Sequence, residues 1–204
     1  IRDKVEAGFQ TVLDHGAYIM GPEISALEAR LGEWTGVAHN ISCSSGTDAL
    51  LLALMGLELQ PGQGVIVPSF TFAASAEVMP VMGAIPIFAE VDKTSFNLDP
   101  EKLPQALAAG KAAGIDIVGI IGVGLFGQPA NYAAIGNFAR ENGLWLIDDA
   151  AQSFGATWHG KPVGQLADIT CTSFFPAKPL GAYGDGGAIF TNDDKIANII
   201  RSCR

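Results

Sequence analysis

The chain has 204 residues, of which 49% are hydrophobic, so it can form one large domain with a substantial buried core. It contains 12 Lys and Arg residues against 21 Asp and Glu, and the net charge of −9 disfavours nucleic-acid binding because phosphate backbones are repelled. No apolar run reaches the length of a membrane span, so we expect no membrane partner.

Three cysteines, Cys43, Cys171 and Cys203, are isolated in the sequence and odd in number. Neither their spacing nor that of the three histidines is typical of a metal site, so we expect no bound metal. Unpaired thiols of this kind are common in reducing compartments, and we therefore expect a cytoplasmic location.

The first 35 residues carry apolar side chains at helical spacing, which predicts two helices. The first should end at His15 and Gly16. The second should begin at Pro22, because proline is tolerated in the first turn of a helix. We predict an N-terminal helical segment over residues 1–35.

From residue 36 onward, apolar strand-like runs alternate with helical periods. The predicted strands cover 37–42, 64–67, 85–88, 117–121, 144–147, 169–174 and 188–191. The predicted helices cover 48–57, 73–82, 100–109 and 132–142, and an amphipathic helix follows the last strand. This alternation favours a three-layer α/β fold with a mainly parallel sheet. No helix separates the last two strands, so we expect one of them to run antiparallel, within a domain over residues 36–204.

A hydroxyl- and glycine-containing turn joins the first predicted strand to the next helix. It contains Ser44, Ser45, Gly46 and Thr47. The free backbone N–H groups at a helix start, together with the hydroxyls, can bind a phosphate. An ordinary N-cap by Thr47 is the alternative, and the motif alone does not distinguish the two.

A second candidate is the apolar strand that ends in Asp148 and Asp149, because open α/β sheets bind their ligands at this edge. A carboxylate there needs a cation, a metal or a protonated ring nitrogen as its partner, unless it caps a helix. Strand alternation places Asp149 with Trp145 and Ile147 on one side and Asp148 with Leu146 on the other. Only one of the two carboxylates can therefore face a ligand.

The third candidate is Lys178, which follows an apolar strand and lies between Pro176 and Pro179. The prolines fix the backbone, and the glycines at 181, 184, 186 and 187 allow close approach to a ligand. A partly desolvated amine has a lowered pKa and can attack an aldehyde, whereas the alternative is a solvated loop lysine.

A phosphate, a ring nitrogen and an aldehyde are the three groups that pyridoxal 5′-phosphate presents. The motifs that carry a family likeness are Ser-Gly-Thr-Asp-Ala-Leu (45–50), Pro-Ser-Phe-Thr-Phe (68–72), Asp-Ala-Ala-Gln (149–152), Ser-Phe-Phe-x-x-Lys (173–178) and Gly-Asp-Gly-Gly (184–187). On these motifs, which span most of the chain, the sequence resembles the DegT/StrS-type sugar aminotransferases of fold type I.

The resemblance implies that Lys178 binds the cofactor as a Schiff base and moves a proton between substrate and cofactor carbons. It implies that Asp149 keeps the pyridine nitrogen protonated, so that the ring withdraws electrons. The further cofactor contacts that it implies are Gly46 and Thr47 at the phosphate, Phe72 on the ring face, Gln152 beside the ring hydroxyl and Ser173 at the phosphate.

The segments 15–23 and 171–175 are similar to the subgroup that aminates 3-keto uronic acid nucleotide sugars. This similarity implies that Gly16 and Tyr18 contact the nucleotide sugar. Two residues depart from the pattern. Ala177 stands where the subgroup has a serine that contacts the sugar, and Asp148 replaces the usual glutamate.

The family implies an aminotransferase that moves an amino group, with glutamate as donor, to the keto group of a nucleotide sugar in polysaccharide or other amino-sugar biosynthesis. It implies a homodimer with active sites at the interface. It also implies a C-terminal small domain that is absent here, so we expect a truncated piece of a longer protein with an open active site.

Two alternatives remain. Gly122-Val-Gly-Leu-Phe-Gly127 has the G-x-G-x-x-G spacing of an NAD site, although Pro129 predicts that the next helix starts only near Asn131. A non-catalytic, regulatory member of the same family that binds pyridoxal 5′-phosphate is the other alternative. The presence of Lys178 favours transamination over it.

Overall fold

The computed structural model describes residues 1–204, and strands and helices alternate along most of the chain. The strands are β1 (His39–Cys43), β2 (Gly64–Pro68), β3 (Ile85–Ala89), β4 (Ile117–Val123), β5 (Trp145–Asp149), β6 (Thr157–Trp158), β7 (Lys161–Pro162), β8 (Ile169–Ser173) and β9 (Gly187–Thr191). The helices are α1 (Arg2–His15), α2 (Pro22–Thr35), α3 (Gly46–Gly56), α4 (Ala74–Val81), α5 (Leu103–Ala112), α6 (Tyr132–Glu141) and α7 (Asp194–Cys203).

Seven strands form one sheet in the order β1-β9-β8-β5-β4-β2-β3. Strand β9 is antiparallel to both of its neighbours, and the other neighbouring pairs are parallel. This arrangement confirms the predicted mainly parallel sheet with one antiparallel strand. It brings the carboxyl ends of β1, β5 and β8 and the start of β9 to the same edge.

Helices cover both faces of the sheet, which gives the predicted three layers. One apolar core lies under α3, α4 and α7 and includes Ile147 and Cys171. The cores on the other face lie under α5, α6 and α2 and include Leu146 and Phe190. Neighbouring residues of β5 thus enter opposite cores, as strand alternation requires.

The two helices predicted in residues 1–35 are present, but they differ in burial. Leu31 and Thr35 of α2 are buried against the sheet, whereas α1 contains no buried residue. No helix of the protein combines the length and the apolarity needed to cross a lipid bilayer.

Two details differ from the expected elements. The predicted helix over 100–109 begins as a 3₁₀ turn, and α5 starts only at Leu103. Pro104 lacks the N–H that an α-helical first turn from Pro100 would need. The hairpin of β6 and β7 was not predicted, because two-residue strands carry no periodic signal.

We expect Gly119→Ala to destabilise the fold. Gly119 pairs with Trp145 across β4 and β5, and a Cβ added at this glycine would lie 2.1 Å from the indole atom Cδ2. Forcing the indole aside should reduce the free energy of unfolding by about 1–3 kcal/mol. Urea denaturation followed by far-UV circular dichroism measures this change.

The matched control is Gly8→Ala in α1, where an added Cβ meets nothing within 4 Å. This substitution should be neutral or stabilising, because alanine favours the helix over glycine. Equal stability of the two variants would contradict the close packing at Gly119.

Candidate functional site

A pocket of about 400 Å³ lies at the sheet edge where β5 and β8 end and α3 begins. Every cofactor-binding residue predicted from the sequence lines it: Gly46, Thr47, Phe72, Asp149, Gln152, Ser173 and Lys178. A somewhat larger cavity of about 500 Å³ lies beside the opposite ends of β5 and β8. It contains none of the predicted site residues, so the smaller pocket is the candidate site.

The start of α3 forms one wall of the pocket. Ser45, and not Thr47, caps this helix, because the Ser45 side chain accepts a hydrogen bond from the Asp48 N–H at 3.0 Å. Thr47 is already inside the first turn, so the N-cap alternative for Thr47 is wrong. The N–H groups of Gly46 and Thr47 have no acceptor within the helix and can bind an anion.

Close packing holds the start of α3 against β8. A Cβ at Gly46 would lie 2.6 Å from the Cβ of Ser173, so this position has no room for a side chain. The Ser173 hydroxyl accepts a hydrogen bond from the Phe175 N–H at 3.2 Å, and its own hydrogen is left to donate. Two backbone amides and one hydroxyl therefore meet at this end of the pocket.

Asp149 is a buried carboxylate at the pocket wall, with 5% of its surface exposed. Its Oδ2 accepts a hydrogen bond from the Ser75 hydroxyl at 2.7 Å, and its Oδ1 accepts one from the Ala151 N–H at 3.1 Å. Burial raises the pKa of Asp149, while these hydrogen bonds and the charge of Lys178 oppose the rise.

The surroundings of Asp149 leave room for a cation. No Lys, Arg or His forms an ion pair with this carboxylate. Residues 150–156 contain no helix, so the alternative of a helix-capping aspartate is also wrong. A buried carboxylate that faces a pocket without a cation is suited to a protonated group of a ligand.

Asp148 is turned to the other face of the sheet and is fully buried. Its Oδ1 accepts a hydrogen bond from the Tyr132 hydroxyl of α6. Its Oδ2 and the hydroxyl of Thr170, the residue opposite it on β8, are both buried without a hydrogen-bond partner. Burial raises the pKa of Asp148 to about 7, and the neighbouring Asp149 charge adds to the rise. Only Asp149 faces the pocket, as the alternation predicted.

Lys178 lies on a tight turn directly after β8. Its N–H donates to the Phe175 carbonyl at 2.8 Å, and the Ala182 N–H donates to the Phe174 carbonyl at 2.7 Å, which closes the turn. The Lys178 Nζ lies 5.8 Å from the centroid of the Phe72 ring. The lysine is partly buried and forms no ion pair, so its amine is available to a ligand.

Gln152 is held by a neighbouring loop. Its Oε1 accepts a hydrogen bond from the Phe126 N–H at 2.9 Å. The acceptor end of the side chain is therefore engaged, and the amide nitrogen is left to donate to a ligand in the pocket.

The predicted sugar contacts, Gly16 and Tyr18, do not line the pocket. Both lie in the connection between α1 and α2, where Gly16 has a left-handed φ of 66° and Tyr18 is 67% exposed. The structure thus brings together the predicted cofactor contacts but not the predicted sugar contacts.

The glycine-rich segment after β4 does not form a dinucleotide loop. It continues as a 3₁₀ turn over Leu125–Gly127, and α6 begins only at Tyr132 with Asn131 as its N-cap. Gly124 packs against Ser153, since an added Cβ would lie 2.1 Å from its Oγ. No helix N-terminus follows the third glycine, so the NAD alternative does not fit this structure.

The sequence motifs missed Ser75, the buried donor to Asp149. It lies in α4, three residues after the motif that contains Phe72. A single serine in an apolar helical period carries no signal that points to a carboxylate on another strand.

The sequence matches the DegT/DnrJ/EryC1/StrS aminotransferase family over residues 1–204. It is 49% identical over 201 residues to UDP-2-acetamido-2-deoxy-3-oxo-D-glucuronate aminotransferase of Pseudomonas aeruginosa, covering 98% of this chain and 54% of that protein.

Two solved structures resemble the chain closely. A DegT DnrJ EryC1 StrS aminotransferase from Brucella abortus superposes with a TM-score of 0.96 at 47% identity, covering 99% of this chain and 54% of the other. The structure of ntda from Bacillus subtilis with bound cofactor PMP superposes with a TM-score of 0.88 at 32% identity, covering 98% of this chain and 44% of the other. The chain thus spans about half the length of these relatives.

We expect Asp148→Asn to change the pH dependence of stability. The pKa of Asp148 rises from 3.8 to about 7 on folding, so between these values the folded state keeps a proton that the unfolded state has lost. Wild-type stability therefore falls as pH rises through this window and levels off above it. Asparagine has no charge to bury. The free energy of unfolding of the variant, relative to that of wild type, should therefore rise by roughly 2 kcal/mol between about pH 5 and about pH 7.5.

Urea denaturation at several pH values measures this gain. The matched control is Asp3→Asn, which removes an exposed carboxylate from α1. Its stability relative to wild type should change little with pH. If Asp148→Asn also differs from wild type by a constant amount at all pH values, Asp148 does not hold a proton in the folded state.

Proposed function

Because the chain belongs to the DegT/DnrJ/EryC1/StrS aminotransferase family, we propose that the protein is a pyridoxal 5′-phosphate-dependent aminotransferase that acts on a keto-sugar nucleotide. Its mainly parallel three-layer sheet is the architecture of fold-type-I aminotransferases. The observation that carries the proposal is one pocket that contains a buried carboxylate without a cation, a lysine without a counter-ion and a helix start without acceptors.

The pocket fits pyridoxal 5′-phosphate in its size and in its donor set. Its volume of about 400 Å³ lies within the range of small-molecule sites. Gly46, Thr47 and Ser173 offer two N–H groups and a hydroxyl to a phosphate. Asp149 offers a buried carboxylate to a protonated ring nitrogen, and Phe72, a residue that is 65% exposed, offers an aromatic face.

When bound, this cofactor supplies an aldehyde that reacts with amines and a pyridine ring that withdraws electrons from the substrate carbon. Lys178 would hold the cofactor covalently, and its Nζ would then take up and return the proton of the substrate carbon. Asp149 would keep the ring nitrogen protonated, while Phe72 and Gln152 would fix the plane of the ring.

For the substrates, we propose a keto-sugar nucleotide as amino acceptor and glutamate as donor. The relative from Pseudomonas aeruginosa, named for a 3-oxo-glucuronate nucleotide, supports a uronic acid sugar. We propose that Gly16 and Tyr18 contact the nucleotide, since the exposed Tyr18 is available to a ligand that extends beyond the pocket.

A homodimer in the cytoplasm completes the proposal. The three cysteines are free thiols, as is usual in a reducing compartment. The exposed apolar side chains of α1, among them Phe9 and Leu13, offer a surface for a second subunit. A non-catalytic, regulatory role is disfavoured because Lys178 lies in the same pocket as Asp149.

Borohydride trapping tests the role of Lys178. After incubation with pyridoxal 5′-phosphate and reduction, peptide mass spectrometry should find the pyridoxyl group on Lys178, since this lysine alone lines the pocket. Lys178→Ala should lose the label and reduce turnover by several orders of magnitude.

The matched controls for this labelling are Lys161→Ala and Lys195→Ala. Lys161 lines the other cavity, and Lys195 pairs with Glu58 at 2.6 Å. Both variants should keep the label on Lys178. A pyridoxyl group found on Lys161 or Lys195 of the wild type would overturn the proposed role of Lys178.

Asp149→Asn should preserve the fold and reduce kcat about a hundredfold or more, because it removes the charge that faces the ring nitrogen. Asp148→Asn should retain activity within about tenfold, since Asp148 faces α6 and not the pocket. Steady-state kinetics with glutamate and a keto-sugar nucleotide compare the two variants. Similar losses in both would refute the assignment of Asp149.

A further inference from the structure

We propose that Ser75 is a positioning residue that holds the Asp149 carboxylate in its charged form and in one orientation toward the pocket. The inference rests on the proposed function and extends it to a residue outside the pocket lining.

The Ser75 hydroxyl donates its one hydrogen to this carboxylate. Ser75 has no exposed surface, and its Oγ lies 2.7 Å from the Oδ2 of Asp149. The Oγ also lies 3.0 Å from the hydroxyl of Thr71. An ionised carboxylate can only accept, and a serine has one hydrogen to donate, so Thr71 must be the donor in the second contact. The hydrogen bonds therefore run in one direction, from Thr71 through Ser75 to Asp149.

The hydrogen bond from Ser75 lowers the pKa of Asp149 and so opposes the effect of burial. Burial raises the pKa of Asp149, and the hydrogen bond from Ser75 is the largest influence that lowers it. With the Ala151 N–H on Oδ1, both carboxylate oxygens have a fixed donor. A hydrogen bond to the charged form of an acid favours that form, and it is the charged form that can pair with a protonated ring nitrogen.

Asp148 shows what a neighbouring carboxyl does without this support. Its one hydrogen bond comes from Tyr132, and its second oxygen has no partner. Burial raises its pKa to about 7. The two carboxyls are adjacent in sequence and similarly buried but differ in their donors, since Asp149 has a donor on each oxygen and Asp148 has one on Oδ1.

The helix that carries Ser75 does not need its hydroxyl. Helix α4 begins at Ala74, and no side chain caps it. The Ser75 N–H donates to the Phe72 carbonyl at 3.1 Å, which ties α4 to the aromatic residue of the pocket. The hydroxyl is left to reach a carboxylate 74 residues away along the chain.

The test compares Ser75→Ala with Ser153→Ala in the full chain. Ser153 is similarly buried, but its hydroxyl has no hydrogen-bond partner, so the control removes the same atom without removing a hydrogen bond. Two ligands are titrated: pyridoxal 5′-phosphate and 1-deazapyridoxal 5′-phosphate, which lacks the ring nitrogen. The ¹⁵N chemical shift of ring-labelled pyridoxal 5′-phosphate reports whether the nitrogen is protonated.

Ser75→Ala should weaken the binding of pyridoxal 5′-phosphate about tenfold and the binding of the deaza analogue by less than about twofold. Only pyridoxal 5′-phosphate presents a ring nitrogen to Asp149. The ¹⁵N shift should move toward the unprotonated value, and Ser153→Ala should leave both readouts unchanged. In the Asp149→Asn background, Ser75→Ala should cause little further loss, since both substitutions act through one carboxylate.

The outcomes separate this inference from the proposed function. If the wild type binds pyridoxal 5′-phosphate with a protonated nitrogen and Ser75→Ala behaves like Ser153→Ala, the role of Ser75 is overturned and the function stands. Equal losses for the two ligands would likewise reduce Ser75 to a structural residue. If the wild type does not bind pyridoxal 5′-phosphate, both proposals fail.

Discussion

The arrangement of the site depends on two carboxyl groups that are buried side by side at the end of β5. Two adjacent buried charges repel each other and are both poorly solvated, so a fold that contains them has to treat them differently. Strand alternation does this by turning Asp148 toward Tyr132 and Asp149 toward Ser75. Burial raises the pKa of both carboxyls, and two donors on the Asp149 oxygens oppose the rise on that side. Only the Asp149 carboxyl faces the pocket.

The remaining parts of the pocket converge because of the order of the strands. Strand β9 runs antiparallel between β1 and β8, so the turn that carries Lys178 returns to the edge where α3 begins. The backbones meet without side chains between them, since a Cβ at Gly187 would lie 2.3 Å from the Ser45 carbonyl oxygen. Gly46 and Gly187 are therefore needed for packing between elements, because a side chain at either position would meet a neighbouring segment.

Most features that depend on residues close together in the sequence could be predicted, and features that depend on residues far apart in the sequence could not. The strands of the main sheet are short apolar runs in the local sequence, and the face occupied by Asp149 follows from the alternation of side chains along β5, so both were predictable. The capping residue was not, because Ser45 and Thr47 offer the same hydroxyl chemistry and only the extended backbone of Ser45 decides between them. Ser75 was not predictable either, since its partner lies on a strand far away in the sequence. The separation of Tyr18 from the pocket likewise depends on how α1 and α2 are placed.

The glycine-rich segment after β4 shows how a motif can serve a site in another way than its spacing suggests. Phe126, between the second and third glycines, has a φ of 56°, a left-handed conformation that is unfavourable for a bulky residue. In that conformation its N–H donates to the Oε1 of Gln152, which lines the pocket. Gly124 permits the contact because it leaves room for Ser153, the neighbour of Gln152. The segment thus forms a 3₁₀ turn and not a dinucleotide loop, and its strained backbone fixes one side chain of the pocket.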